Sequence, residues 1–313
     1  MTTIQHSDEV RNLYQRALDG TSVRSRYVNV DASGERVHVL ETGDGPPLVL
    51  LHGTGVAGWF FLPLLRELKG FGIIAPDRPG QGLSDPIDLP RRTYHETSVE
   101  WLDRLLEALE LDAVALVGHS GGGVLALRYT LARPARVKRL VMIGPPALPN
   151  TRCPLPYRLM ATPGVGGLLS HVSPPSRKST LQFAKFMGED GTLAGHPNLV
   201  NLFVAAGRDP LAAEGTKAEV RVLISPFALL SRYGFRHRSR VQADELRRLT
   251  APTLLAWGEQ EPLGGVAVAR AVAQLMPDAR LTVLPGGHAP WLGHPYQTAS
   301  MIAEFLTTER TQT

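Results

Sequence analysis

Residues 113–122 read Ala-Val-Ala-Leu-Val-Gly-His-Ser-Gly-Gly, and this stretch decides the fold. Its first five residues form a short apolar run, typical of a strand buried on both faces of a parallel sheet. Because Gly122–Ala132 has helical character, the pentapeptide 118–122 lies at a strand-to-helix turn. There it matches Gly-x-Ser-x-Gly, a pattern that presents the serine hydroxyl above the carboxyl edge of a sheet. Ser120 is therefore the candidate nucleophile; a structural serine in a glycine-rich turn is the alternative.

Short apolar runs and helical segments alternate on both sides of this stretch. The other predicted buried strands are Pro47–Leu51, Phe71–Ala75, Val137–Ile143, Thr253–Trp257 and Arg280–Leu284. The other predicted helices in the alternation are Trp59–Lys69, Thr93–Leu109, Val266–Leu275 and Tyr296–Thr307. Two strands of more polar character, Val23–Val30 and Arg36–Leu40, indicate an antiparallel edge. The pattern predicts an α/β sheet with crossover helices.

The alternation stops between about Pro145 and Val241, where proline and glycine interrupt helical stretches at Lys178–Met187 and Asn198–Ala206. We therefore predict three parts. Residues 1–22 form an N-terminal helical extension, residues 23–145 with 242–313 form the α/β core, and residues 146–241 form an inserted helical lid.

A serine nucleophile needs a base, and the base needs an orienting acid. His288 follows the last predicted strand, so its loop points the imidazole across the same sheet edge as Ser120. Two carboxylates, Glu259 and Glu261, follow the preceding strand, and the loop contains no aspartate. Either glutamate can be the acid on this reasoning, or simply an exposed loop carboxylate.

The remaining candidate site residues surround the elbow. The amide of Gly121 lies at a helix N-terminus and can bind an oxyanion, and Thr54 is the predicted second donor. The predicted substrate pocket comprises Gly53, His119, Trp59, Phe60 and Trp291; core packing explains Trp59 and Phe60 equally well. The turn-rich loop Asp77–Ser84 is interpreted as architectural.

From about Val23 to Leu306 the chain resembles the α/β-hydrolase superfamily. The resemblance rests on motifs in the family's order: His52-Gly53, 77–84, 118–122, 258–261 and Gly287-His288. It implies an eight-stranded, mostly parallel sheet with helices on both faces and a helical lid between strands six and seven. It also favours Glu261, the third residue after Gly258, as the acid, although the family usually has aspartate there.

The resemblance implies an ester or lactone hydrolase that works through an acyl-enzyme. Apolar residues of the predicted lid, such as Phe183 and Phe186, favour a small, mostly apolar substrate. Serine at the elbow argues against the related epoxide hydrolases and haloalkane dehalogenases, which use aspartate. Two alternatives stay open: a carbon–carbon hydrolase of a ring-fission-type diketone, and a ligand-binding protein or cyclase that does not hydrolyse its ligand. No metal or organic cofactor is expected.

Composition limits the other classes. The 313 residues carry a net charge of only +4, so nucleic acid is not an expected partner. No apolar stretch reaches the roughly 18 residues of a membrane span, so no membrane association is expected. Cys153 is the single cysteine, which excludes an intramolecular disulfide. With no signal peptide recognisable, a cytoplasmic protein is predicted; the sequence does not predict an oligomeric state.

Overall fold

The computed structural model describes residues 6–31, 35–87 and 94–308, which contain one eight-stranded sheet. Its strands are β1 Arg24–Asn29, β2 Arg36–Thr42, β3 Pro47–Leu51, β4 Gly72–Pro76, β5 Val114–His119, β6 Val137–Ile143, β7 Thr253–Gly258 and β8 Ala279–Leu284. Their spatial order is β1-β2-β4-β3-β5-β6-β7-β8. The pairs β1–β2 and β2–β4 are antiparallel and all later pairs are parallel. The predicted mostly parallel sheet with an antiparallel edge is confirmed.

Apolar runs form the central strands because both faces of the sheet are covered. In β3, Leu48 and Leu50 belong to one hydrophobic cluster, whereas Val49 and Leu51 belong to a second cluster on the opposite face. All four side chains are fully buried. Alternate residues of a strand point to opposite faces, so an uninterrupted apolar run is what a doubly covered strand requires.

Helices cover both faces of the sheet, as predicted. They are α1 Asp8–Leu18, α2 Leu62–Glu67, α3 Tyr94–Ala108, α4 Gly121–Ala132, α5 Leu155–Ala161, α6 Val165–Val172, α7 Arg177–Phe186, α8 Pro197–Arg208, α9 Pro210–Leu223, α10 Ala243–Arg247, α11 Val266–Ala273 and α12 Pro295–Thr307. The helix predicted from Trp59 starts instead with a 3-10 turn, Gly58–Phe61, before α2. Thr93, the predicted first residue of α3, lies outside the described residues.

Residues 146–241, between β6 and β7, contain helices α5 to α9. Two of them correspond to the helical stretches expected from the sequence, whereas α5, α6 and α9 were not predicted. Several of their side chains line the cavity at the carboxyl edge of the sheet. The division of the chain into extension, core and lid remains a prediction, and residues 1–5, 32–34, 88–93 and 309–313 of that division lie outside the described residues.

Helix α1 connects the N-terminal segment with both neighbouring parts of the molecule. The Tyr14 hydroxyl donates to Asp77 Oδ1 at 2.7 Å, and His6 Nδ1 lies 3.0 Å from Asp209 Oδ1, between α8 and α9. Val10, on the inner face of the helix, is fully buried. The extension is therefore packed against the body of the protein. In the part of the chain that is described, no helix combines the length and apolarity needed to cross a membrane.

Candidate active site

Ser120 lies at the turn between β5 and α4 in a conformation that few residues adopt, with φ +50° and ψ −123°. Its amide donates to the Ile143 carbonyl of β6 at 2.9 Å, which fixes the turn to the sheet. The end of the neighbouring strand β3 approaches so closely that a Cβ built on Gly122 would clash with the carbonyl oxygen of Leu51. Glycine at 122 is thus required by space, and the strained serine is held by its surroundings.

His288 and Glu261 are hydrogen-bonded partners. His288 Nδ1 lies 2.9 Å from each oxygen of the Glu261 carboxylate, and Leu263 N also donates to Glu261 Oε1 at 3.2 Å. Gly144, at φ +52°, makes room for the pair, since a Cβ there would lie 2.5 Å from Glu261 Oε2. Glu261 is only 5% exposed, whereas Glu259 is an exposed residue. The structure therefore brings Glu261, and not Glu259, to the imidazole.

Ser120 and His288 line the same cavity of about 490 Å³. Because Nδ1 of His288 is bonded to Glu261, Nε2 is the ring nitrogen left for chemistry in that cavity. Of the predicted site residues, Gly53, Thr54, Phe60 and His119 also line it. Helices between β6 and β7 line it with largely apolar side chains, among them Tyr157, Met160, Phe183 and Phe203.

Gly121 and Thr54 lie beside each other at the elbow. Gly121 is the first residue of α4, so its N–H has no acceptor within the helix. A Cβ built on Gly121 would lie 2.7 Å from Thr54 Oγ1, which shows how closely the two loops approach. A helix N-terminus next to a serine is an arrangement that can stabilise an oxyanion.

Two of the predicted pocket residues, Trp59 and Trp291, lie behind the cavity wall and are not among its described lining residues. Both are fully buried, and Trp291 Nε1 donates to the Phe60 carbonyl at 2.9 Å. Phe60 packs edge-on against Trp291 with ring centroids 5.2 Å apart, and Trp59 packs against Phe203 at 5.0 Å. These tryptophans support the wall, because only one layer of aromatic rings can face the cavity.

Two other buried histidines near the elbow are neutral. His52 Nε2 accepts from Arg78 N and Nδ1 contacts the Gly53 carbonyl, both at 2.8 Å; burial, assisted by the positive charge of Arg78, lowers the pKa of His52 to about 3. Burial, with the nearby His288, also holds the pKa of His119 well below its ordinary value. His119 Nε2 lies 3.0 Å from the His288 carbonyl oxygen, to which it donates. Both imidazoles are therefore unprotonated at neutral pH and are weaker bases than an ordinary histidine.

The structure adds a buried ion pair that sequence reasoning missed. Arg78 donates to both oxygens of Glu219, a residue of α9, at 2.7 and 2.9 Å, and Gln81 Nε2 donates to the same carboxylate at 2.8 Å. A Cβ on Gly121 would lie 2.8 Å from Glu219 Oε1, so the pair lies against the elbow. No local signal could reveal a partner 141 residues away on an unpredicted helix.

Asp77 opens the loop that the sequence analysis interpreted as architectural. The hydroxyl of Tyr14, the ring of His38 and the amides of Gly58 and Leu83 all lie within 2.9 Å of its carboxylate oxygens. Asp77 has no exposure to solvent, and its pKa is lowered by the His38 and Tyr14 hydrogen bonds against the opposing effect of burial. These contacts agree with an architectural role and keep the Asp77 carboxylate away from the cavity.

The sheet order, the strained serine after β5 and the histidine after β8 define an α/β-hydrolase. A family model described as the alpha/beta hydrolase fold matches residues 46–295, and the chain belongs to that family. The structure is also similar to that of naproxen esterase (carboxylesterase NP) from Bacillus subtilis, with a TM-score of 0.71 and 23% identity over 96% of this chain and 99% of the other.

Three curated relatives illustrate the range of similar proteins. Polyketide synthase ThaQ of Burkholderia thailandensis is 32% identical over 87% of this chain, which spans only 12% of that protein. The 2-hydroxy-6-oxononadienedioate/2-hydroxy-6-oxononatrienedioate hydrolase of Cupriavidus pinatubonensis is 28% identical, over 90% of this chain and 95% of the relative. The pimeloyl-[acyl-carrier protein] methyl ester esterase of Xanthomonas campestris is 29% identical, over 86% and 98%.

Proposed function

We propose that this chain is a serine hydrolase that cleaves a carboxylic ester or a lactone through Ser120, His288 and Glu261. The observation that carries the proposal is the shared cavity: a strained, cavity-lining serine faces the same space as a histidine whose Nδ1 is bonded to a buried carboxylate. That combination supplies a nucleophile, a base and an orienting acid in the relation that acyl transfer needs.

In this mechanism His288 Nε2 takes the Ser120 proton as the hydroxyl oxygen attacks the substrate carbonyl. The amides of Gly121 and Thr54 hold the oxyanion, and collapse of the intermediate expels the alcohol, which receives the proton from His288. Water then attacks the acyl-enzyme with His288 again as base, and the acid is released. Glu261 keeps the proton of the neutral imidazole on Nδ1 and stabilises the imidazolium. Every step uses groups of this chain and water.

The cavity supports a neutral, mostly apolar acyl group. Among the described residues that line it there is no lysine or arginine, and the lid side offers Met160, Phe183 and Phe203. A substrate carboxylate buried there would lose hydration without gaining a cationic partner. An uncharged ester or lactone fits this chemistry, and one relative of similar length is an ester hydrolase by name.

Carbon–carbon bond hydrolysis is the second candidate, because an equally similar relative is a hydrolase of a ring-fission dienedioate. The same serine, base and oxyanion donors would serve it. The lining described above disfavours it, since a dienoate brings carboxylate charge into the cavity. A ligand-binding or cyclase role, and a cytoplasmic location, remain predictions from the sequence.

The test uses a fluorophosphonate probe together with p-nitrophenyl acetate, butyrate and octanoate. We expect Ser120 to be labelled, as located by peptide mapping, and the esters to be turned over, with kcat reduced at least about 10⁴-fold in Ser120→Ala. A folded wild-type protein that neither reacts with the probe nor hydrolyses any ester contradicts the proposal. Faster turnover of a ring-fission dienoate than of any ester would favour the carbon–carbon reaction.

A further inference from the structure

The loop that carries His288 is held by the inserted segment immediately after α7. Three successive backbone N–H groups donate to this segment: Gly287 N to Glu189 Oε1 at 3.1 Å, His288 N to the Met187 carbonyl at 2.9 Å and Ala289 N to Glu189 Oε1 at 2.8 Å. One carboxylate oxygen thus binds the amides on both sides of the histidine. The backbone of the candidate base is fixed by a part of the chain about 100 residues away.

Glu189 is itself held firmly. It is 3% exposed, and its second oxygen, Oε2, accepts from the Thr192 hydroxyl at 2.7 Å. Burial raises the pKa of Glu189, and the hydrogen bonds from Thr192, Ala289 and Gly287 act in the opposite direction. A buried carboxylate is costly unless it is fully hydrogen-bonded, so these contacts are a requirement for its presence here.

The same segment also contacts the loop that carries Glu261. Gly188, at φ +79°, approaches it so closely that a Cβ would lie 2.6 Å from the Gln260 carbonyl and 2.8 Å from Gly287 Cα. Residues 187–189 therefore lie wedged between the loops of the candidate base and the candidate acid. Any shift of this segment would be transmitted to both.

We propose that Glu189 is a positioning residue for His288, and this inference rests on the proposed function. The length of the Glu189 side chain is what matters, because it brings one carboxylate oxygen to the amides of Gly287 and Ala289. The histidine loop is thereby held where the imidazole can contact both the Ser120 hydroxyl and Glu261. Displacement of a catalytic group by about 1 Å can cost about 10²-fold in rate. Glu189 touches no reacting atom in this scheme, and its effect passes through the histidine loop.

Two conservative variants of Glu189 separate the effect of its side-chain length from that of its charge. Glu189→Gln keeps the length and one carbonyl oxygen for the two amides but loses the charge, whereas Glu189→Asp keeps the charge and is one methylene shorter. With p-nitrophenyl butyrate we expect kcat to fall no more than about 3-fold in the Gln variant, about 10-fold in the Asp variant and up to about 10²-fold in Glu189→Ala. Glu189 also lines the cavity, but its two carboxylate oxygens are bonded to Gly287 N, Ala289 N and the Thr192 hydroxyl, so the KM for the ester should change less than about 3-fold in each variant.

Two further measurements exclude a merely structural effect. Each kcat is divided by the concentration of sites titrated with fluorophosphonate, so partial misfolding cannot imitate a slower site. Proton NMR follows the downfield resonance of the His288 Nδ1–H bonded to Glu261, identified by its loss in His288→Asn. We expect this resonance to persist in the Gln variant and to broaden or vanish in the Asp and Ala variants. Asp190→Asn, at the exposed neighbouring carboxylate, is the matched control and should change neither quantity.

The order of the two conservative variants decides the proposal even if Glu189→Ala fails to fold. Equal or higher kcat per site in Glu189→Asp than in Glu189→Gln, or an unchanged Nδ1–H resonance in Glu189→Asp, overturns it. Failure of the wild-type protein to react with any ester or probe would instead count against the proposed function, and the resonance would still test the positioning.

Discussion

The carboxyl edge of the sheet and the helical segment 146–241, the predicted insertion, contribute to one cavity in different ways. The edge supplies Ser120, Glu261 and His288, each from a loop directly after a strand. The insertion supplies Glu189, which binds the histidine loop, and Glu219, which pairs with Arg78. Groups of the first kind are placed by a short turn next to a buried strand. Groups of the second kind reach their positions only when distant helices pack against the sheet, so the residues next to them in the sequence do not predict their role.

The comparison also separates two uses of a buried carboxylate. In the proposed mechanism Glu261 faces an imidazole that gains and loses a proton, whereas Glu219 faces a guanidinium whose charge never changes. Removing the first should damage the reaction and leave the fold nearly intact. Removing the second should damage the fold, because the buried Arg78 charge loses the carboxylate that accepts two of its hydrogen bonds.

The largest effect is expected when the acid at the sheet edge is neutralised. In Glu261→Gln the side-chain amide would donate toward His288 Nδ1 and favour the wrong tautomer, so kcat for p-nitrophenyl butyrate should fall about 10²- to 10⁴-fold. The control is Glu259→Gln in the same loop, whose exposed carboxylate should be replaceable with less than about a 2-fold change. Steady-state kinetics check both, and a larger loss in the Glu259 variant would make Glu261 the wrong choice.

A loss of stability is expected when the buried pair between Glu219 and Arg78 is broken. In Glu219→Gln, Arg78 keeps its buried charge beside a neutral partner, which should lower the free energy of unfolding by about 3–5 kcal/mol. The matched control on α9 is Glu214→Gln, which breaks an exposed pair with Arg221 and should cost at most about 0.5 kcal/mol. Denaturant unfolding measures both. Equal stability of the two variants would remove the proposed distinction between buried and exposed pairs.

The smallest expected effect is the pH dependence of the free energy of unfolding that His52, at the sheet edge, contributes. His52 has a pKa of about 3 in the folded protein, below its ordinary value of 6.5, because protonated Nε2 would be buried facing the Arg78 amide. The unfolded chain therefore takes up this proton first, so the His52 contribution to stability is lost as pH falls from about 6.5 toward 3. One such group changes the free energy of unfolding by up to about 1.4 kcal/mol per pH unit.

His52→Gln tests this contribution, because an amide oxygen can still accept from Arg78 N but does not titrate in this range. Its free energy of unfolding is measured in denaturant at pH 7, 6, 5 and 4. As pH falls, it should decrease less steeply than that of the wild type, by up to the slope of about 1.4 kcal/mol per pH unit that one proton contributes. The lowered pKa of His119 acts in the same direction in both proteins and largely cancels, because burial and His288 contribute more to it than His52 does. Parallel curves for the two proteins would show that His52 is not a source of the acid sensitivity.

The strands and the elbow could be predicted because their signals are local. The strands of the sheet were predicted from short apolar runs. Ser120 was predicted from a pentapeptide in which glycine is required by the close approach of β3. The insertion was less legible: α9 was missed, although it supplies Glu219. Its sequence, with Gly215 at its centre, lacks the continuous periodicity that indicates a helix.

The choice among similar side chains was left to the tertiary structure. Reasoning from the loop residues alone left Glu259 and Glu261 both open; packing buries one against His288 and leaves the other exposed. Three aromatic residues were expected in the pocket, and the structure gives Phe60 to the lining and puts Trp59 and Trp291 behind it.

The sequence by itself determined the order of the strands and of the helices that alternate with them, the turn at Ser120 and the loops that carry the candidate base and acid. These depend on the backbone preferences of a few adjacent residues and on the alternation of apolar faces. Tertiary structure decided which glutamate meets the imidazole, which rings face the cavity and how Glu189 and Glu219 reach the site. Those choices depend on distances between segments that are far apart in the chain, and such distances exist only after the core and the insertion have packed.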